Sequence, residues 1–193
     1  MNIKPLIVAG LLAAISSSPL QAAVPSLALR TQTDTIRVGD VFDVDLIARD
    51  VFADSYADDL LLAFGFNLNV SPALLGLNAS WLNPLFSDDA EILNLDLAGS
   101  AFPGLAANDF SGDLHLGTLR FQALADGATI LSMTADPADL NQGLIYLFGN
   151  SLSMSASLNV NIAAVPLPPA GLLFASGAWL TWRGKRRLSP IPA

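Results

Sequence analysis

Hydrophobic and polar residues alternate with a period of two along most of the chain between Asp34 and Ile162. In residues 41–50, Phe42, Val44, Leu46 and Ala48 share one side, while Asp43, Asp45 and Arg49 take the other. Successive side chains of a strand point to opposite faces, so this pattern predicts a strand with one buried face. Residues 60–70 repeat it, with Leu60, Leu62, Phe64, Phe66, Leu68 and Val70 predicted inward and Gly65, Asn67 and Asn69 outward. Residues 151–162 are the cleanest case. Leu152, Met154, Ala156, Leu158, Val160 and Ile162 alternate there with Ser and Asn. A helix would scatter those apolar residues around its axis.

Shorter segments follow the same logic. Residues 34–38 read as a strand closed by Gly39-Asp40, and 50–59 as an acidic loop. Ser71-Pro72 ends the next strand, 73–75 reads as a turn or helical piece, and 81–89 as loop. Residues 92–97 read as a strand. Residues 99–112, rich in Gly, Asn and Pro, read as a long loop. Residues 113–124 form a strand whose alternation switches side at Gly117, which predicts a bulge. Asp126-Gly127 is a hairpin signal. Residues 129–135 return, Asp136-Pro137 opens a loop, 144–148 is a short strand, and Gly149-Asn150 turns again. Eight or nine short strands without helical periodicity predict an all-β domain, a β-sandwich of jelly-roll topology.

The two ends break this pattern. Residues 1–23 have Lys4, an apolar run over 6–15, Pro19 and the small-residue exit Gln21-Ala22-Ala23. That order predicts a signal peptide cut after Ala22 or Ala23, and the apolar run is too short to span a bilayer. At the other end, residues 165–182 carry no charge and end in Trp179 and Trp182, followed by Arg183, Lys185, Arg186 and Arg187. Eighteen residues approach the roughly 20 that a spanning helix needs, and the cations hold the inner end in the cytoplasm. The expected organisation is therefore a signal peptide (1–23), an ectodomain (24–164), a membrane and stop segment (165–187) and a short tail (188–193).

Charge sharpens the picture. The whole chain carries −8, but all seventeen acidic residues fall within 24–164. Only Arg30, Arg37, Arg49 and Arg120 oppose them there, which leaves −13 on the ectodomain. Such a surface is repelled by nucleic acid and by anionic lipid. Cysteine is absent, so neither disulfides nor Cys nucleophiles are available.

Candidate chemistry is sparse. His115 is the only histidine, and no Gly-x-Ser-x-Gly motif accompanies it. The carboxylate pairs Asp58/Asp59 and Asp88/Asp89 would serve glycoside hydrolysis only if two acids converged in a cleft. Two loops could offer oxygens to calcium, one through Asp54, Asp58 and Asp59 and the other through Asp136, Asp139 and Asn141. Neither has the spacing of a calcium-binding helix–loop–helix; acidic loops also keep strand edges soluble. No other cofactor is expected. Asn69-Val-Ser71 and Asn78-Ala-Ser80 match the N-glycosylation pattern. Tyr56, Trp81 and Phe86, all read as loop residues, could stack on sugar rings or plug one end of the sandwich.

Two resemblances add to this reading. The order Val165-Pro166-Leu167-Pro168-Pro169-Ala170, short apolar run and Arg-rich end resembles the PEP-CTERM sorting signal in its VPLPA variant. Leu167 replaces the usual Glu of the commonest form, Pro169 departs from the variant, and 188–193 slightly exceeds the usual tail. The resemblance implies that an exosortase, a membrane cysteine transpeptidase or protease, cuts near the motif and that this chain is its substrate. Separately, Val38-Gly-Asp-Val-Phe-Asp-Val-Asp-Leu46, Phe64-Gly-Phe-Asn-Leu-Asn-Val-Ser-Pro-Ala-Leu-Leu75 and Gly117-Thr-Leu-Arg-Phe-Gln122 resemble strands of a cohesin-type domain. Ser71 stands where that family often has Asp. The resemblance implies a cohesin-like sandwich over about 35–162, and true cohesins bind dockerins.

The expectation is a non-enzymatic exported protein. It would pass through the inner membrane and serve at the cell surface or in an extracellular matrix. Its ectodomain would be structural or would bind exopolysaccharide or a protein. A hydrolase and an unprocessed tail-anchored envelope protein are the alternatives.

Overall fold

The computed structural model describes residues 23–165, apart from 54, 57 and 111. The expected signal peptide, membrane segment, stop and tail lie outside the described residues, apart from Ala23 and Val165. Among the described residues, no helix is long and apolar enough to cross a membrane.

The described residues form eleven strands and one helical turn. They are β1 (Ser26–Thr31), β2 (Ile36–Arg37), β3 (Val41–Arg49), β4 (Leu61–Asn69), β5 (Leu75–Leu82), β6 (Ser87–Asp88), α1 (Ala90–Leu93), β7 (Leu97–Leu105), β8 (Leu114–Ala123), β9 (Gly127–Thr134), β10 (Gly143–Tyr146) and β11 (Ser155–Ala163). One sheet has the order β1-β3-β8-β5. The other runs β2-β11-β9-β4-β7-β6, with β10 paired to β4. Every pairing is antiparallel except β2 with β11. The expected all-β sandwich is present.

The apolar faces of both sheets meet in one core. Phe42, Val44, Leu46 and Ala48 of β3 are buried, as their alternation predicts. From the opposing sheet come Phe64, Phe66, Leu131 and Met133, all almost fully buried. Phe42 stacks on Phe121 at 5.9 Å, and Phe64 meets the edge of Phe86 at 4.8 Å. Each such side chain contributes about 1.5–3 kcal/mol by leaving water. With no disulfide, this packing holds the fold.

Bulges decide which residues face the core. In β8, Leu46 of β3 pairs with Gly117 but Ile47 pairs with His115, so Leu116 is the extra residue. That is the phase switch read at Gly117. In β4, Tyr146 pairs with Leu61 and Ile145 with Ala63, so Leu62 is extra. Leu61 therefore takes the core position, whereas Leu60 and Leu62 are only partly buried. The expected inward set for 60–70 is corrected at its beginning.

Other expectations are corrected too. Residues 92–97 are not a strand. α1 ends at Leu93, Asn94 takes a left-handed cap conformation with φ 54°, and β7 starts at Leu97. Residues 99–112 are not one long loop, because β7 runs to Leu105 despite Gly99, Pro103 and Gly104. Trp81 belongs to β5, not to a loop. β1 precedes the first strand the alternation suggested. β11 begins at Ser155, leaving Leu152 only in an isolated bridge to Leu144.

The domain's ends lie at opposite poles. Ser26 at the start of β1 pairs with Arg49 at the end of β3. Ala163 at the end of β11 accepts the N–H of Val38, just before β3 begins.

Candidate functional site

The pleat of β3 turns Val41, Asp43, Asp45, Ile47 and Arg49 away from the core. After its bulge, β8 turns Thr118, Arg120 and Gln122 to the same outer face. β1 adds Arg30 opposite Asp45, and β5 adds Ala79 and Trp81 opposite Arg120 and Thr118. Three of the four arginines of this acidic domain, and its one histidine, thus share one sheet face.

Opposite charges pair across the strands on this face. Arg120 donates to Asp43 twice, Nε to Oδ1 at 2.7 Å and Nη2 to Oδ2 at 2.8 Å. The guanidinium carbon lies 4.8 Å from the centre of the Trp81 ring, a cation–π contact. The Arg120 hydrogen bonds hold the Asp43 carboxyl below its ordinary range, and Asp43 raises the guanidinium in return. Further along the face, Asp113 lies 3.4 Å from Arg49 and 3.8 Å from Arg30. Beside Trp81 and Arg120, a groove of about 390 Å³ is lined by Gln32, Thr33, Val41 and Asp43.

His115, Thr118 and Asp45 form a third group. Thr118 donates its hydroxyl hydrogen to Asp45 Oδ1 at 2.7 Å, and His115 Nε2 lies 3.1 Å from the same hydroxyl oxygen. With that hydrogen given to Asp45, the Nε2–Thr118 contact is a hydrogen bond in the tautomer whose Nε2 carries the hydrogen and donates. A nucleophile and its base need the reverse arrangement. His115 also lies 3.4 Å from Asp45 Oδ1. The group is thus a linked set of donors and acceptors on the sheet face.

The remaining sequence candidates are dispersed. Phe86 is buried against Phe64 and plugs the sandwich. Tyr56 lies at the pole where β1 begins, in the cavity that includes Val24 and Asp59. Trp81 is the one member of that aromatic trio on the charged face, where it is 42% exposed. Asp88 Oδ1 accepts the Ala90 N–H at 3.0 Å.

For the two calcium loops, Asp54 lies outside the described residues and Asp58 is exposed. Asp59 is buried, and its oxygens accept backbone N–H groups of Leu60, Phe148 and Gly149. Asp136 Oδ1 accepts the N–H of Ala138. Asp139 accepts the Asn141 N–H and the Gln142 amide, bonds that lower its carboxyl pKa. Among the described residues, no three His, Cys, Asp or Glu side chains stand together so as to hold a metal ion. Val165 is exposed; Pro166, Leu167, Pro168, Pro169, Ala170, Arg183, Lys185, Arg186 and Arg187 lie outside the described residues.

No protein-family model matches the chain, and the search of curated proteins gives no match. Solved structures do resemble it. The cohesin module of a family 33 glycoside hydrolase from Clostridium perfringens has TM-score 0.50 and 14% identity, over 74% of this chain and 98% of that one. The seventh ScaB type I cohesin of Pseudobacteroides cellulosolvens has TM-score 0.41 and 14% identity, over 74% and 95%. A chain of a type II cohesin–X-dockerin complex from Acetivibrio cellulolyticus has TM-score 0.44 and 13% identity, over 74% and 95%. At 14% identity the likeness to the Clostridium perfringens module is one of fold, and the described domain is an all-β sandwich with the architecture of that cohesin module.

Proposed function

We propose that this domain is a non-catalytic protein-binding module displayed at the cell surface or in an extracellular matrix, and that the outer face of the four-stranded sheet is its binding surface. One observation carries the reading. A domain of charge −13 gathers three of its four arginines, its histidine and an exposed tryptophan on one sheet face. Arginine and tryptophan are the residues that most often anchor protein interfaces. The face alternates Asp with Arg, so it suits a partner with a complementary ladder of charges. The cohesin-like architecture makes a dockerin a reasonable first test ligand.

Display would follow from the ends of the chain. The first 22 or 23 residues direct export, and the segment from Val165 to Arg187 serves as an exosortase-type sorting signal that holds the chain in the inner membrane until it is cut. The opposite poles of the sandwich fit such a tether, because the pole with Val24 and Tyr56 then points away from the membrane.

Exopolysaccharide is the second reading, favoured by the exposed Trp81 ring, although Arg120 already covers that ring. Joint replacement of Asp43, Trp81 and Arg120 by Ala should release the processed protein from the surface or matrix fraction into the medium. Unchanged retention would refute the binding face. Intact mass tests the sorting. Loss of both the leader and the residues beyond about Pro168 supports it, and a membrane-bound mass retaining residues 171–193 contradicts it.

A further inference from the structure

At the pole where β1 begins, a cavity of about 370 Å³ is lined by the residues before β1, the loop between β3 and β4, and the end of β10 with the segment after it. Asp59 lines it and is only 3% exposed. Its Oδ1 accepts the N–H groups of Leu60 and Phe148, both at 2.9 Å, and Oδ2 accepts that of Gly149 at 3.0 Å. A carboxylate offers about four lone-pair directions, so about one is left over. Next to it, the Tyr146 hydroxyl donates to the carbonyl of Val51. Burial, and then the negative charge of Asp59, push the phenol's pKa up, so it stays a neutral donor.

Among the described residues, no lysine or arginine lines this cavity or pairs with Asp59. A buried carboxylate without a cation is costly, even when backbone dipoles solvate it in part. The walls include Tyr56 and Phe148, which are 68% and 63% exposed. Aromatic faces attract cations, and a domain of charge −13 concentrates them.

We infer that this cavity is a primary-ammonium site, with Asp59 as counter-ion and Tyr56 and Phe148 as walls. Two sources share that chemistry. Val24 and Pro25 line the same cavity, so removal of the leader after Ala23 creates an α-ammonium on Val24, at its rim. This source rests on the export reading above. The other source is a free amine of side-chain size.

The test uses the full chain, produced with its leader and purified from envelope or medium, with its N-terminus read by mass. Folded protein is labelled with limiting acetic anhydride, and each amine is quantified by peptide mass spectrometry. If the chain's own N-terminus occupies the site, the α-amine reacts about tenfold more slowly in the wild type than in Asp59→Asn, and n-butylamine leaves the thermal midpoint unmoved. If a free amine occupies it, the α-amine reacts equally in both. n-Butylammonium chloride then raises the midpoint of the wild type above a sodium chloride control, but not that of Asp59→Asn. Tyr56→Ala removes only an exposed ring and should show part of the same loss, which covers the case in which Asp59→Asn does not fold. Equal labelling without any midpoint shift overturns the ammonium site. A mass that retains the leader removes the first source and counts against export, and the n-butylamine arm then decides the site alone.

Discussion

Arg120 and Asp43 face each other across the β3–β8 ladder in a two-pronged pair at 2.7 and 2.8 Å, with the guanidinium laid over Trp81. Both partners are about half exposed, so the pair adds little to stability. What it fixes is orientation. A planar fork is held flat on the sheet, and under the proposed binding function it would meet a partner without further loss of rotamer freedom.

Arg120→Ala should therefore weaken partner binding by at least about tenfold, the size expected for an interface anchor. Arg120→Lys should recover only part of the loss, because lysine keeps the charge but not the fork. Both variants should keep the wild-type circular dichroism spectrum. Full binding by Arg120→Lys would mean that only net charge matters.

The same pair predicts a pH dependence. Arg120 lowers the Asp43 carboxyl below its ordinary value of 3.8, so the unfolded chain takes up the proton first as pH falls. The stability gained from the pair is thus fully present above the ordinary value and is lost as pH drops through the lowered one. The gap in thermal midpoint between wild type and Asp43→Asn should be small, constant from about pH 5 to 7, and should close below about pH 3. A gap that widens in acid would contradict this sign.

Asp59 should matter to folding as well as to any bound amine. Asp59→Ala leaves three partly buried backbone N–H groups without their acceptor, which should cost about 1–3 kcal/mol. Gly149→Ala should also destabilise the same loop, since a Cβ there would lie 2.9 Å from Asp59 Oδ2. Urea unfolding of each variant measures both effects.

Phe64 packs between Phe66 at 6.2 Å and Phe86 at 4.8 Å and is almost fully buried. Phe64→Ala should lower stability by about 3–5 kcal/mol, whereas Ile130→Ala on the exposed face of β9 should change it by less than about 1 kcal/mol. Comparable losses at both sites would contradict the assignment of the core.

The strands that are legible in the sequence are those with one wet and one dry face. β3 is readable residue by residue, including the outward Asp43, Asp45 and Arg49 of the charged face. The bulge of β8 is readable because Gly117 interrupts an otherwise regular alternation. β5 is not, because Gly76, Asn78, Ala79 and Ser80 carry no apolar contrast on an exposed edge strand. With β5 hidden, Trp81 reads as a loop residue and its approach to Arg120 cannot be seen. β7 is masked by Gly99, Pro103 and Gly104, which usually mark loops. The slip in β4 arises because Leu60, Leu61 and Leu62 are equally apolar, so composition cannot tell which one the bulge turns inward. The polar cavity escapes a sequence reading because its parts, Val24, Asp59 and Phe148, are far apart in the chain.

The most direct test of the binding face is site-specific photo-crosslinking in the native host. One crosslinking residue replaces Ala79 on β5, beside Arg120, and another replaces Ile130 on the opposite sheet. A discrete protein adduct from position 79, absent from position 130 and lost when Arg120→Ala is added, is the predicted result. Equal adducts from both positions, or an adduct from position 130 alone, would contradict it.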